Sequence, residues 1–283
     1  MSTRLFGSLC LSSENFYLSP ERGNMVYLSV MKIRLSELRK LIREEVELRP
    51  ALTPDEGFVA KTLPAEPVGD VDVVNYGNPP LEFHKIAKNT EDFIKNWFIN
   101  HGLVDEICRS APANDSETTR EDLNILLELV NSATSEDITF ARYVDDLSNL
   151  AQTFIDLLSE KGHEEDMGRF FEIETQNEGL LYHLKDIINR PRPYQLAKSY
   201  GLALYPLMRT DAMSASYPGG HAMAGFMMSE YYARKYPDAA IELYALGDKI
   251  ARSRELVGIH YPSDTAISKE IVKIIIDNGL IRE

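Results

Sequence analysis

The sequence predicts an all-α fold, a helical bundle. Two observations lead to this prediction. Few runs of alternating β-branched residues occur along the 283 residues, whereas several stretches repeat apolar side chains at helical spacing. The clearest stretch runs from Phe140 to Leu158 and marks one continuous apolar face. We therefore expect helices packed around a single core.

The N-terminal part of the chain precedes the predicted bundle. Residues 1–30 show weak periodicity and many Ser, Asn and Gly residues, which indicates an extension, or sequence upstream of a true start at Met25 or Met31. Residues 31–48 place Leu, Ile and Val at helical spacing among mixed charges and predict an amphipathic helix. We favour packing of this helix against its own domain, with partner docking or oligomerisation as the alternative. Residues 1–48 thus form the predicted N-terminal extension.

Residues 49–80 are rich in proline and have little periodicity, so they predict a linker or arm. The domain proper is expected over residues 81–283. Gly279 is predicted to end its last helix. The predicted helices of this domain are Phe83 to Cys108, Glu121 to Asn131, Phe140 to Leu158, Asn177 to Asn189, His221 to Tyr236, Asp238 to Arg254 and Ser263 to Asn278.

Composition excludes several classes of function. The formal net charge of −14 argues against nucleic acid or an anionic membrane as a partner. Cys10 and Cys108 lie far apart, so neither a disulfide framework nor a zinc site is predicted. No run of about 18 apolar residues and no secretory signal is found, so we expect a soluble, cytoplasmic chain without a transmembrane helix.

Three short blocks near the C-terminus carry the functional signal. In order, they read K-x6-R-P, P-G-G-H and S-R-x5-H-x3-D. The first and third blocks supply three cations, Lys185, Arg192 and Arg254, whose gathering predicts an anion between them. Arginine offers a planar fork of donors that suits two phosphate oxygens, while lysine acts as a movable point charge. The blocks therefore predict a phosphate pocket.

The glycines and histidines of these blocks complete the predicted pocket. Gly219 and Gly220 stand just before an apolar-periodic run, so we expect them to open a helix whose backbone N–H groups bind an anion. Such a cage of protein donors needs no metal. Asp264 follows His260 by four residues at an expected helix start, so its carboxylate can reach back to one ring nitrogen. The other nitrogen is then free to attack phosphorus.

In order and spacing, the three blocks resemble the signature of the type 2 phosphatidic acid phosphatase and vanadium haloperoxidase superfamily. In motif style they are similar to its soluble bacterial acid phosphatases. The first and third blocks match without a gap or a substitution, whereas Gly219 stands where the family usually has serine. The resemblance implies a helical core in which the three motif segments converge at one end.

The resemblance also implies roles for individual residues. His260 would be the nucleophile that becomes a phosphohistidine, with Asp264 as its partner. His221 would protonate the departing alkoxide and then take a proton from the hydrolysing water. The phosphate-binding residues would be Lys185, Arg192, Gly219, Gly220 and Arg254, with no metal ligand.

Three functions compete. We favour a soluble, metal-independent phosphatase that acts on a small phosphorylated substrate without a cofactor. A vanadium-dependent haloperoxidase is the first alternative, because the same cage can hold vanadate with His260 as its axial ligand. Known haloperoxidases tend to be longer chains with duplicated bundles, which favours the phosphatase. The second alternative is a non-catalytic structural or binding protein that retains the fold, and only Gly219 supports it.

Two conspicuous residues are left outside the predicted site. Arg190 lies in the sequence Arg-Pro-Arg-Pro, an extended segment in which neighbouring side chains diverge, so we expect it to point away from the pocket if Arg192 points in. His163 is followed by three acidic residues but sits in a polar connector. We expect a solvated loop there and not a metal site.

Overall fold

The computed structural model describes residues 92–208 and 214–282. Within these ranges the chain forms helices without any strand, so the predicted all-α class is confirmed. The predicted extension over 1–48, its helix 31–48, the linker over 49–80 and the domain start at residue 81 lie outside the described residues. The α-helices are α1 (Phe93–Asn100), α2 (Leu103–Ser110), α3 (Glu117–Ser132), α4 (Ser135–Tyr143), α5 (Leu147–Glu160), α6 (Met167–Ile188), α7 (Pro193–Leu196), α8 (Gly220–Lys235), α9 (Ala240–Leu256) and α10 (Pro262–Asp277).

The predicted helix from Phe83 to Cys108 is two helices where the structure describes it. Gly102 has φ 71°, a left-handed conformation that suits glycine, and it separates α1 from α2. The chain changes direction there while the apolar pattern continues. The prediction of a single helix was therefore wrong.

The predicted apolar face from Phe140 to Leu158 is also divided, between α4 and α5. Asp146 causes the division, because its carboxylate accepts a hydrogen bond from the N–H of Ser148 at 2.7 Å and caps a new helix. The neighbouring Asp145 is left in the connector, where its side chain can face another part of the molecule. This break therefore leaves Asp145 available to the candidate site.

Helix α6 begins at Met167, earlier than the predicted start at Asn177. Its first half contains Glu174, which is buried although glutamate usually lies at the surface. Burial and the neighbouring Glu178 raise the pKa of Glu174 to about 8, so it is accommodated inside as a neutral acid. The remaining predicted helices correspond to α3, α8, α9 and α10, with ends that differ by a few residues.

The helices that carry the motif blocks meet in the core. Helix α8 is buried along most of its length and packs against both α9 and α10. It approaches α9 closely, since a Cβ atom on Gly247 would lie 2.2 Å from the hydroxyl oxygen of Ser229 and 3.0 Å from the carbonyl oxygen of Gly225. Ser229 contacts Leu243 while Gly225, one turn earlier in α8, adjoins Ile250, later in α9, so the two helices run antiparallel. The start of α8 and the end of α9 therefore lie at the same end of the bundle.

None of the helices in the described ranges is long and apolar enough to cross a membrane. The predicted cytoplasmic location is a separate matter and stays a prediction.

Replacing Gly247 with alanine should destabilise the protein. The new methyl group must displace the Ser229 hydroxyl, which donates to the carbonyls of Gly225 at 2.8 Å and Leu243 at 2.7 Å. Overpacking of a core commonly costs about 1–3 kcal/mol, which exceeds the roughly 1 kcal/mol that alanine gains in helix propensity. Urea denaturation of Gly247→Ala should show the loss. Ala245→Ser, which adds one atom at an exposed position of α9, is the control and should change stability by less than about 0.5 kcal/mol. A Gly247→Ala protein as stable as the parent would contradict the close packing.

Candidate active site

The first motif block begins near the C-terminal end of α6, where Lys185 is buried. Asn189 ends this helix in the left-handed conformation, and its N–H donates to the Lys185 carbonyl at 3.0 Å. The Lys185 ammonium donates to the carbonyl of Ala215 at 2.5 Å and lies 3.4 Å from that of Ser216. Burial, and then the charge of Arg192, lowers the pKa of Lys185 well below its usual value. Lys185 therefore joins α6 to the segment that precedes the second block.

Arg192 is buried and directs its guanidinium at His260. Its Nη1 atom lies 2.8 Å from Nε2 of His260 and 3.0 Å from the carbonyl oxygen of Ile259. Its Nε donates to the carbonyl of Ser214 at 3.0 Å. Because a guanidinium can only donate, Nε2 of His260 accepts and the neutral ring carries its proton on Nδ1. The lone pair of Nε2 thus faces a cation.

Asp264 holds the opposite side of the His260 ring. Pro262 is the first residue of α10, so Asp264 lies in its first turn and reaches back across the turn. Its Oδ2 atom lies 3.0 Å from Nδ1 of His260. The same oxygen accepts hydrogen bonds from the N–H of Tyr261 at 3.0 Å and from the hydroxyl of Ser216. These contacts hold Oδ2 of the carboxylate against the ring.

Burial and neighbouring charges keep Asp264 and His260 in one protonation state. Burial acts to raise the pKa of Asp264, but Arg190 and His260 hold it well below its usual value. The pKa of His260 is also well below its usual value, because of burial and then the charge of Arg192, which outweigh Asp264. The pair therefore consists of an ionised carboxylate and a neutral imidazole near pH 7.

The second block opens α8, with Gly219 at the N-cap and Gly220 as the first helical residue. Gly219 has φ −79°, a conformation open to any L-residue. Its N–H donates to the hydroxyl of Ser268 on α10 at 2.9 Å, and this hydroxyl donates to the carbonyl of Asp264 at 2.6 Å. The N–H that the sequence assigns to phosphate is therefore bound to Ser268. Gly219 is buried and Gly220 is half-buried.

His221 follows in the first turn of α8 and is partly exposed. Its Nε2 atom lies 2.9 Å from the carbonyl oxygen of Asp145. Burial of the ring and the charge of Arg254 lower its pKa to about 4, although Asp145 acts in the opposite direction. His221 is therefore neutral at pH 7 when no anion is bound beside it.

Arg254 lies near the end of α9 and is buried. One of its terminal nitrogens donates to the Asp145 carboxylate, and the other donates to the carbonyl of Ala141 at 2.8 Å. The carbonyl of Arg254 accepts the N–H of Ile259 at 3.1 Å and that of His260 at 3.3 Å, which folds the turn between α9 and α10. This turn brings both ends of the third block together.

The structure brings all the residues assigned from the sequence to one end of the bundle. They lie at the C-terminal ends of α6 and α9, at the start of α8 and α10, and in the segment after α6. Three buried cations are grouped with two histidines, an arrangement suited to binding an anion next to a nucleophilic nitrogen. The assigned residues are Lys185, Arg192, Gly219, Gly220, His221, Arg254, His260 and Asp264.

Sequence reasoning missed several residues that hold the site. Asp145 contacts both His221 and Arg254, and its only sequence signal is the helix start marked by the adjacent Asp146. Ser216 and Ser268 carry no pattern of their own. Arg190 does diverge from Arg192, as predicted from the proline-flanked segment, but it turns into the protein interior and contacts Asp264. The residues that the sequence analysis did not assign to the site are Asp145, Arg190, Ser216 and Ser268.

His163 and its acidic neighbours do not form a metal site. In the described ranges, no group of three or more His, Cys, Asp or Glu side chains is arranged to hold a metal ion. The ring of His163 stacks on Tyr236 with centroids 4.1 Å apart, and its Nε2 lies 2.9 Å from an Asp238 oxygen. The residue lies in a connector as expected, yet it packs against the bundle and is not a fully solvated side chain.

Comparisons with known proteins find one matching family and matches among solved structures. Residues 176–269, which contain all three motif blocks, match the PAP2 superfamily. No curated protein matches the chain. Among solved structures, a bacterial vanadium-dependent iodoperoxidase aligns with a TM-score of 0.47 and 15% identity, covering 59% of this chain and 50% of that one. The chain therefore spans half the length of the iodoperoxidase.

A second solved structure with a match is the transmembrane PAP2-type phosphatidylglycerolphosphate phosphatase of Bacillus subtilis. It aligns with a TM-score of 0.43 and 15% identity over 68% of this chain and 99% of the phosphatase. The match over residues 176–269 confirms the resemblance to the PAP2 superfamily that the three motif blocks predict.

Proposed function

We propose that this protein is a metal-independent phosphatase that hydrolyses small phosphomonoesters through a phosphohistidine at His260. One observation carries the proposal. His260 is held through Nδ1 by Asp264, so that Nε2 faces Arg192 in a group of buried cations. A nitrogen lone pair directed into a cationic site is what attack on a bound phosphoryl group requires. The PAP2 superfamily match over this segment supports the same chemistry.

The first chemical step forms the phosphohistidine. Nε2 of His260 attacks phosphorus, a P–N bond forms, and the bond from phosphorus to the ester oxygen breaks. His221 gives its proton to the departing alkoxide, which leaves as an alcohol. Because Arg192 donates to Nε2 before the substrate arrives, we expect this guanidinium to transfer its hydrogen bonds to phosphate oxygens on binding.

The second step restores the enzyme. A water molecule attacks phosphorus while neutral His221 takes one of its protons, and the P–N bond breaks with its electron pair returning to Nε2. The products are inorganic phosphate, neutral His260 and protonated His221. Lys185, Arg192 and Arg254 stabilise the charge on the phosphoryl oxygens in both steps. No metal takes part in this scheme.

Phosphatase activity should survive EDTA and be inhibited competitively by vanadate, which copies the geometry of the phosphoryl transition state. A panel of phosphate esters assayed with purified protein in EDTA tests this expectation. Acid-labile phosphoenzyme should be trapped from the parent protein and not from His260→Ala. Loss of turnover on chelation would refute the proposal. Bromide oxidation with vanadate and peroxide, without ester hydrolysis, would identify a haloperoxidase instead, and a folded protein inactive in both assays would identify a non-catalytic one.

The pH optimum for kcat/KM should lie on the acidic side. His221 must be protonated for the first step, and its pKa of about 4 in the free protein means that this form declines as pH rises above that value. The pKa of His260 is also lowered, so its neutral, nucleophilic form persists at low pH. For an alkyl phosphate, kcat/KM should therefore fall from pH 5 to pH 8, whereas an aryl phosphate with a good leaving group should fall less. An optimum above pH 7 for the alkyl ester would contradict the role of His221.

Replacing Gly219 with serine should raise kcat/KM and tighten vanadate binding. The backbone φ of −79° accepts serine. The new Cβ would lie 3.3 Å from Cβ of Ala222, which must shift by a few tenths of an ångström, and 3.5 Å from both Ser268 Oγ and Nδ1 of His260, which are ordinary contacts. A donor aimed at developing charge is commonly worth about 2.7–4 kcal/mol, and a bridging water at glycine can recover part of it at a cost of up to about 2 kcal/mol. We therefore expect an increase of about tenfold.

The matched control is Gly219→Ala, which adds the same Cβ without the hydroxyl and should give no increase. Steady-state kinetics and vanadate inhibition of both variants separate the effect of the hydroxyl from that of the added Cβ. If folded Gly219→Ser gains nothing over Gly219→Ala, the pocket does not bind phosphate in the way that the family motif implies.

A further inference from the structure

Arg190 is an arginine that the proposed chemistry does not use, yet the residue is only 2% exposed. It follows α6 directly, and its carbonyl accepts the N–H of Ser216 at 2.8 Å. Its guanidinium carbon lies 3.7 Å from the centre of the Tyr261 ring, as in a stacked cation–π contact. Burying a charged side chain is costly unless it is paired, and the guanidinium of Arg190 is paired with side chains of α3 and α10.

The guanidinium of Arg190 binds two carboxylates that come from different helices. Its Nη1 atom donates to Oδ1 of Asp264 at 2.9 Å and to the hydroxyl of Ser263 at 2.6 Å. Its Nη2 atom donates to Asp122 on α3 at 3.3 Å and to the hydroxyl of Thr119 at 3.2 Å. Both acids are buried as well. Arg190 therefore connects α3 with the first turn of α10.

The two oxygens of Asp264 bind different partners. Oδ2 receives Nδ1 of His260, together with the N–H of Tyr261 and the hydroxyl of Ser216, whereas Oδ1 receives Arg190. A carboxylate bound on one oxygen alone can rotate about its bond to Cβ. The contact on Oδ1 opposes that rotation and keeps Oδ2 in line with the imidazole.

We propose that Arg190 is a positioning residue for His260, which acts by binding Asp264 so that this carboxylate holds the imidazole as the neutral Nδ1–H tautomer with Nε2 directed at the phosphate site. This inference rests on the proposed function for its catalytic meaning. The orientation of the ring is a property of the protein alone and can be measured without any substrate.

The charge of Arg190 has a second effect on the same pair. A carboxylate next to a histidine favours the imidazolium, which cannot act as a nucleophile. The groups facing His260 are Asp264, Arg192 and Lys185, and Arg190 offsets the negative charge of Asp264 from the far side. Asp122 offsets Arg190 in turn. Loss of Arg190 should therefore raise the pKa of His260, whereas loss of the Asp122 charge should not raise it.

Three substitutions separate positioning from mere support of the fold. Arg190→Gln removes the charge, and Arg190→Lys keeps the charge but replaces the fork with a single donor group that cannot span both carboxylates. Asp122→Asn is the matched control, because it weakens the link between Arg190 and α3 while leaving the contact with Asp264 in place. Urea denaturation of each variant measures how much stability that link contributes.

The decisive measurement is the imidazole nitrogen NMR spectrum of the full chain labelled in histidine. The chain has six histidines, and the signals missing from His260→Gln identify those of His260. In the parent protein and in Asp122→Asn we expect a neutral Nδ1–H ring. In Arg190→Gln, Arg192 still donates to Nε2, so we expect the neutral ring to stay in the Nδ1–H form, with a His260 pKa raised by about one pH unit or more, the size of effect that a nearby charge produces.

Kinetics give a second readout of the same effect. The acidic limb of the kcat/KM profile should move up by about one pH unit in Arg190→Gln, with kcat falling more than KM rises, and should not move up in Asp122→Asn. Should Arg190→Gln fail to fold, Arg190→Lys decides: we expect the parent pKa of His260, because the charge is kept, and a reduced kcat, because a single ammonium cannot hold Asp264 as the guanidinium does. A folded Arg190→Gln whose His260 keeps the parent pKa, or a folded Arg190→Lys with the parent kcat, would overturn the proposal. If the protein hydrolyses no ester, the NMR measurement still tests the effect of Arg190 on His260, because it requires no substrate.

Discussion

The buried carboxylate of Asp264 is the group on which the geometry of the site depends. It receives hydrogen bonds from the segment after α6, from the segment before α8 and from its own helix turn, through Arg190, Ser216 and Tyr261. Its remaining contact fixes the ring of His260. Since Arg190 and Ser216 come from distant parts of the chain, the carboxylate can be fully satisfied only when those segments have docked. The ring of His260 is therefore held in this orientation only in the folded protein.

The protein concentrates positive charge at this one place while its net charge is strongly negative. Buried cations are tolerated when they are paired or hydrogen-bonded. Arg254 is paired with Asp145, and Arg190 with Asp122 and Asp264, while Arg192 and Lys185 donate mainly to backbone carbonyls. Arg192 and Lys185 are therefore less compensated by carboxylates than Arg254 and Arg190. An anion bound between them would supply that compensation.

Helix packing sets where these charges meet. Helices α8 and α9 approach closely at Gly225 and Gly247, and this contact brings the start of one to the end of the other. The start of α8 then adjoins the turn that carries His260, since a Cβ atom on Gly219 would lie 3.5 Å from Nδ1 of that ring. The N–H of Gly219 donates to Ser268 of α10, so α8 and α10 are joined at the position where the family usually has serine.

By itself, the sequence determined the helical class, the approximate positions of α3, α8, α9 and α10, and the group of charged residues and histidines that form the candidate site. Periodicity and motif spacing are local properties, so they can be read without the fold.

The tertiary structure decided the rest. It divided the predicted helix at Asp146 and so freed Asp145 for Arg254, and it turned Arg190 inward onto Asp264. It also lowered the pKa of His221, because burial and the charge of Arg254 act only after distant segments have packed together. Partners that lie far apart in the chain leave no local pattern, and this is the physical reason why sequence alone could not reveal them.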